Sequence, residues 1–199
     1  NFFVSLNFYI LMTTMTLYSI QQFAASESIA GLTSSIFVIG ALLARLIAGG
    51  TVEKVGRKKM LYMGLILFLV ATAFYFISSS LIILFIVRIV HGVAFGLATT
   101  ALNTAVMDSL PMERRGEGTG YYSLSSTAAT AIGPFLGIWL MNNYDMNAIF
   151  TFALVVTAFA LLFALIATIK EANLTQEERK AIPVSLKPDR LFAFEVLPI

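Results

Sequence analysis

Six apolar runs divide the chain: Phe2 to Phe23, Leu32 to Ala48, Leu61 to Ile77, Leu81 to Met107, Tyr121 to Met141 and Ala148 to Ile169. None of them alternates apolar and polar positions with a period of two. A helix needs about 20 residues to cross a hydrocarbon core roughly 30 Å thick, and the runs are near that length. Lipid offers no partner for backbone N–H and C=O groups, so the pattern predicts transmembrane helices and excludes a barrel. Beyond the sixth run the chain turns polar. The expected organisation is a six-helix membrane domain over residues 1–169, a linker over 170–190 with a short surface helix around Thr175 to Ala181, and an apolar stretch over 191–199 that resembles the start of a seventh span.

The breaks between runs carry the charge, and its placement sets an orientation. Breaks one, three and five contain no lysine or arginine. Break two holds Lys54, Arg57, Lys58 and Lys59, break four Arg114 and Arg115, and the tail Lys170, Arg179, Lys180, Lys187 and Arg190. Basic residues beside a span resist translocation, so these segments are expected on the cytoplasmic side. An even number of spans then puts both ends in the cytoplasm of a multi-pass plasma (inner) membrane protein.

Composition narrows the function classes. At 58% hydrophobic and 12% charged residues, too little polar surface is left for a soluble domain. The absence of cysteine removes disulfides, thiolate metal sites and cysteine nucleophiles. A net charge of +2 gives no reason to expect a nucleic-acid partner. With one histidine and neither HExxH nor GxSxG, there is little to support an enzyme or a metal site. Gly116-x-Gly118-x-Gly120 is not preceded by a strand and reads as a flexible loop leading into the fifth run.

Two arginines lie inside apolar runs, where a charge is costly and calls for a reason. Arg45 sits one turn before Gly49, and its simplest reading is a side chain snorkelling to the cytoplasmic interface. Arg88 lies about two turns into the fourth run and is read as facing inward, the alternative being the outer interface. Arg88, Gly92, Phe95, Thr99 and Asn103 share a helical face, with His91 beside them. A second stripe, Asn7, Leu11, Thr14, Tyr18 and Gln21, follows the first run. Polar stripes on two spans argue for a shared water-filled cavity, while interhelical hydrogen bonding is the competing explanation. Ala129, Gly133 and Gly137, with Pro134, form a small-residue ladder that permits close packing and a bend.

The turn Gly49-Gly50-Thr51-Val52-Glu53-Lys54-Val55-Gly56-Arg57-Lys58-Lys59-Met60-Leu61 resembles the signature loop of the major facilitator superfamily, with Thr51 and Glu53 in place of leucine and aspartate. Its glycines read as turn-formers, and Glu53 and Arg57 are spaced to pair on a helix. Arg88-Ile89-Val90-His91-Gly92 resembles the family's span-four motif, and Ala129-x-x-x-Gly133-Pro134-x-x-Gly137 its span-five antiporter motif. Asp108 and Arg115 also resemble family positions.

The resemblance implies an all-α membrane fold: two three-helix repeats making half of a twelve-helix transporter. It further implies proton-coupled efflux of small amphipathic molecules by alternating access, no cofactor, and as partners the bilayer, a small-molecule substrate and a carboxy-terminal six-helix half. Asn7, Thr14, Tyr18, Gln21, Phe95, Thr99 and Asn103 would line the path, and Arg88 and His91 would serve coupling. Gly49, Glu53, Gly56, Arg57 and Lys58, with Gly133, Pro134 and Gly137, would serve conformational change. No aspartate or glutamate lies deep in any run. A proton carrier would therefore be His91, Glu27 at the outer mouth, or a residue of the other half. A facilitator or symporter, a dimerising half-transporter and a membrane scaffold are the competing readings.

Overall fold

The computed structural model describes residues 1–172 and 174–182. Its elements are α1 (Phe2–Phe23), α2 (Glu27–Val55), α3 (Arg57–Phe74, extended by a 3-10 turn Tyr75–Ile77), α4 (Leu81–Ser109), α5 (Arg115–Asn143), α6 (Met146–Ile166) and α7 (Gln176–Ala181). The first six are long and apolar enough to cross a membrane. The stretch 191–199 and, in the linker, residues 173 and 183–190 lie outside the described residues.

α1 coincides with its apolar run, while α2, α4 and α5 overshoot theirs. Hydropathy marks only the part that sits in hydrocarbon, whereas a helix continues until something caps or breaks it. At two starts the cap is explicit: Ser80 Oγ accepts the Ile83 N–H at 3.4 Å, and Asp145 Oδ1 accepts the Ala148 N–H at 3.0 Å. Three expectations change. Gly49 and Gly50 lie inside α2, and only Gly56, at φ 96°, makes the turn into α3. Gly116, Gly118 and Gly120 form the first turns of α5, not a loop, and the missing side chain at Gly118 makes room for Leu110. α6 stops at Ile166 because the chain straightens there and carries Glu171 back to the α2–α3 turn.

Helix pairing follows the small residues. α2 lies against α4 and α1 against α5, so each pairs a first helix of one three-helix repeat with a second helix of the other. α3 and α6 pack behind α4 and α1. Lipid tails are as apolar as leucine, so close van der Waals contact has to hold such pairs together. A Cβ on Gly40 would come within 2.5 Å of the Ile89 carbonyl oxygen, one on Gly96 within 2.5 Å of Ala41 O, and one on Gly92 would collide with Phe37 O. On the other side, Gly133 and Gly137 admit Tyr9, Ile10 and Thr14 of α1.

The basic turns and the tail meet at one end of the bundle. Glu171 accepts the N–H groups of Arg57 at 3.1 Å and Lys58 at 2.9 Å, capping the start of α3 from more than a hundred residues away. Arg179 of α7 donates to the Glu171 carboxylate at 3.3 Å and to the Glu53 carbonyl at 3.2 Å. α7 is itself closed by a capping box between Thr175 and Glu178. Partial burial pushes the Glu171 carboxyl up. The Lys58 N–H, the Arg179 guanidinium and the Arg57 N–H outweigh that and hold it below the usual carboxylate range.

Two outcomes follow from this packing. Gly92→Ala forces α2 from α4 and is expected to cost about 1–3 kcal/mol, read as a lower melting temperature in detergent, whereas Gly49→Ala, with open space around it, leaves the melting temperature unchanged. A carboxylate with a depressed pKa stabilises the docked tail above its free value and loses that contribution as pH falls through the lowered one. A fluorophore on Glu177→Cys, in a chain with no cysteine of its own, should therefore report a docked tail at neutral pH and release only below the usual carboxylate range. Glu171→Gln should release it at every pH and speed amide hydrogen exchange at Arg57 and Lys58.

Candidate functional site

α1, α2, α4 and α5 together wall a cavity of about 440 Å³. α1 contributes Ser5, Phe8 and Tyr9, α2 Phe37 and Arg45, α4 Phe95, Thr99 and Asn103, and α5 Tyr122 and Ser126. Its floor is aromatic: Phe8 stacks on Phe95 at 5.2 Å between centroids, and Phe37 lies 5.2 Å from Phe8 and 5.4 Å from Phe95. Its wall is polar, with Tyr122 Oη donating to Asn103 Oδ1 at 2.6 Å. Rings that accept apolar bodies beside a few convergent polar groups are the usual make-up of a small-molecule site.

The expected path residues separate into two groups. Phe95, Thr99 and Asn103 line the cavity. The α1 stripe does not reach it. Asn7 is fully buried and donates to Ala153 O at 3.0 Å and Thr157 Oγ1 at 2.7 Å, tying α1 to α6. Thr14 bonds back to Ile10 O at 2.9 Å and packs by Gly137. Tyr18 lines a separate recess at the opposite end of the bundle with Gln22, Tyr75 and Asp145, and Gln21 is exposed there. The polar residues of α1 thus mostly bind helices, as Thr16 with Ser34 (3.0 Å) and Ser19 with Thr33 (3.1 Å) also show for α2.

Arg88 and His91 also face inward without lining the cavity. The Arg88 guanidinium is wholly buried; Nε donates to Thr33 O at 2.8 Å, Nη2 to Ser34 O at 3.3 Å and Nη1 to Tyr75 Oη at 3.4 Å, while its face rests 4.6 Å from the Phe37 ring centroid. Backbone dipoles and a ring quadrupole thus take the place of a counter-ion. His91 bonds Tyr75 Oη through Nδ1 at 2.9 Å and Thr72 Oγ1 through Nε2 at 3.1 Å, and stacks on Phe68 at 4.2 Å. Together they join α2, α3 and α4.

A third constellation sits at the basic end. Arg57 Nη2 lies 2.5 Å from Glu53 Oε1 and 2.5 Å from Asp108 Oδ2, so one guanidinium bridges the end of α2 to the end of α4. The Glu53–Arg57 pair forms across the break at Gly56, not along one helix. Glu53 Oε2 is buried with no partner among the described residues. Lys58 contributes its backbone N–H to Glu171 and places its ammonium 5.7 Å from the Tyr62 ring centroid.

Sequence reasoning missed Arg45, Tyr122 and the Glu171–Arg179 clamp. Arg45 is exposed and lines the cavity, with its Cζ 5.5 Å from the Phe95 centroid. Its signal was helical spacing, since Phe37, Ala41 and Arg45 share one face of α2. Tyr122, Ser123 and Ser126 were legible as a polar patch at the start of the fifth run.

Comparison with known proteins agrees with this geometry. The chain is 33% identical over 127 residues to the staphylopine export protein of Staphylococcus aureus, covering 63% of this chain and 32% of that one. It is 28% identical over 172 residues to multidrug resistance protein 1 of Bacillus subtilis, covering 84% and 43%. With the quinolone resistance protein NorA of Staphylococcus aureus it shares 24% identity over 144 residues, covering 72% and 37%. The chain therefore spans less than half the length of these curated relatives. The sequence model of the Major Facilitator Superfamily matches residues 1–197, which with six apolar helices and the three motifs in their places means that the chain belongs to the Major Facilitator Superfamily.

Proposed function

We propose that this chain forms one half of the translocation path of a secondary active exporter of small amphipathic molecules, driven by a proton gradient and working by alternating access. The observation that carries the reading is the cavity between α1, α2, α4 and α5, aromatic on its floor and polar on its wall. The relatives' names, an export protein and multidrug resistance proteins, support outward transport. The basic turns and tail support a plasma-membrane protein with its chain ends on the cytoplasmic side, by the charge rule.

α5 is the least buried span, and α2 and α5 both present large apolar side chains, such as Leu42, Ile47, Tyr121 and Phe135. Such a face fits a second six-helix half closing the cavity. Phe95, Thr99, Asn103 and Tyr122 contact substrate in this reading. Arg57, with Glu53 and Asp108, locks the cytoplasmic ends of α2 and α4 in one state and releases them in the other. Arg88 and His91 hold α2, α3 and α4 as a unit that moves together, so their part in coupling is one of position. Gly133, Pro134 and Gly137 let α5 slide close against α1.

Everted vesicles carrying the transporter from its whole reading frame should accumulate a dansyl-labelled amphiphile when energised and lose it on adding a protonophore. Accumulation indifferent to the gradient would rule out coupling, and accumulation in right-side-out vesicles alone would reverse the direction. Asn103→Ala, which removes the bond from Tyr122, should raise the half-saturating concentration roughly three- to tenfold, with the melting temperature unchanged. Arg57→Ala should cut transport at least about tenfold, the scale of a lost charge-assisted network, while leaving probe binding intact. Weakened binding instead would show that the cluster shapes the cavity and does not gate it.

A further inference from the structure

The charge inside the cavity has one sign. Among its lining residues Arg45 is the single charged side chain, and no carboxylate joins it. The acidic side chains of the bundle, Glu27, Glu53, Asp108, Glu113, Glu117 and Asp145, sit at or beyond the helix ends. Arg45 makes no hydrogen bond or ion pair among the described residues; its contact is the Phe95 ring, which supports the face of the guanidinium and leaves its edge N–H groups free. Asn103 on the facing helix uses Oδ1 to accept from Tyr122, and its amide Nδ2 makes no hydrogen bond among the described residues, so it remains a donor in the cavity lining. Arg88 differs in every respect: its donors are taken by carbonyls and a hydroxyl, and it is closed off from the cavity.

Unused donors and a cation beside three clustered rings select for one kind of molecule. A planar guanidinium matches a carboxylate in a two-point fork, and the rings match an aromatic or aliphatic body. A lipophilic cation would meet repulsion at Arg45 and find no acidic partner among the described residues that line the cavity. We propose that Arg45 anchors the anionic headgroup of the transported molecule, so that the substrates are carboxylate-bearing amphiphiles, anionic or zwitterionic, and that Asn103 takes the second hydrogen bond. The proposal rests on the export reading above for the word transported; the binding site itself does not.

Three probes sharing one fluorophore test it: dansyl-leucine with a free carboxylate, its neutral methyl ester, and cationic dansylcadaverine. Their affinities are measured on the transporter from its whole reading frame in phosphatidylcholine nanodiscs, with no gradient. The wild type should rank them carboxylate, ester, cation. Arg45→Ala should weaken dansyl-leucine about tenfold or more and leave the ester within about threefold, the ester also showing that the variant is folded. Arg45→Lys should keep the preference in reduced form, because the charge survives and the fork does not. Equal loss for all three probes, or a wild type that favours dansylcadaverine, overturns the proposal. Phosphatidylglycerol added to the discs separates a soluble anion from a lipid headgroup. Unchanged dansyl-leucine binding supports the proposal, and competition by that lipid in the wild type but not in Arg45→Ala overturns it in favour of the headgroup. Failure of the export reading looks different: the charge ranking would persist in discs while energised vesicles moved none of the probes.

Discussion

The near contact of α2 and α4 is the constraint on which the rest of the bundle depends. Gly40 on one helix and Gly92 and Gly96 on the other bring the two backbones so close that a single added carbon would meet a carbonyl. That proximity puts Thr33 O and Ser34 O within reach of Arg88, whose buried donors would otherwise go unpaired in a dry interior. The arginine in turn orients the Tyr75 hydroxyl, and that hydroxyl also meets His91 from α4. Removing the glycines would therefore do more than open a gap. It would strand a buried guanidinium whose partners are all on neighbouring helices.

This packing explains why polarity inside the bundle serves two purposes. In a bilayer, a polar side chain either finds a partner on another helix or faces water in a cavity. Asn7, Thr16, Ser19 and Arg88 do the first, each bonded to a group on a different span. Arg45 does the second; Asn103 and Tyr122, bonded to each other across α4 and α5, do both, beside α5, the least covered span. The division has a chemical consequence. Groups already bonded cannot recognise a substrate without giving up those bonds, so in the proposed reading recognition falls to the few whose donors stay open.

Much of the fold was legible in the amino-acid pattern, and less of the site. Long apolar runs separated by charged breaks located all six spans, because hydrocarbon thickness and the charge rule act on each span separately. Short-range turns were harder. A glycine is compatible with a helix as well as a turn, so Gly49, Gly50, Gly116 and Gly120 carried no decisive local signal; only at Gly56, where φ reaches 96°, does the backbone demand one. The α1 stripe misled for a related reason. Periodicity tells which residues share a face, but Asn7 and Thr14 face α6 and α5, and that depends on how the helices rotate when packed. For Arg45, distance along the sequence from Gly49 indicated depth and said nothing of the cavity beside it.

The basic end shows how a long-range constraint hides in plain composition. Glu171 and Arg179 look like ordinary charges of a solvated tail, and nothing local assigns them a partner. Their role comes from the break at Gly56: a helix that restarts there exposes unsatisfied N–H groups at Arg57 and Lys58, and the returning chain brings one carboxylate that takes both. The same break leaves the Glu53 carbonyl to Arg179 and turns the Arg57 side chain toward Asp108. Any movement that separates α2 from α4 at this end must therefore disturb the Arg57 bridge and the tail clamp together, since both are built on the same few residues around one glycine. A side chain at Gly56 would press on Arg179 and Glu171 at 3.0 to 3.4 Å as well as straining the backbone. The tightness of that corner, more than the number of charges around it, makes the tail part of the mechanical unit formed by α2, α3 and α4.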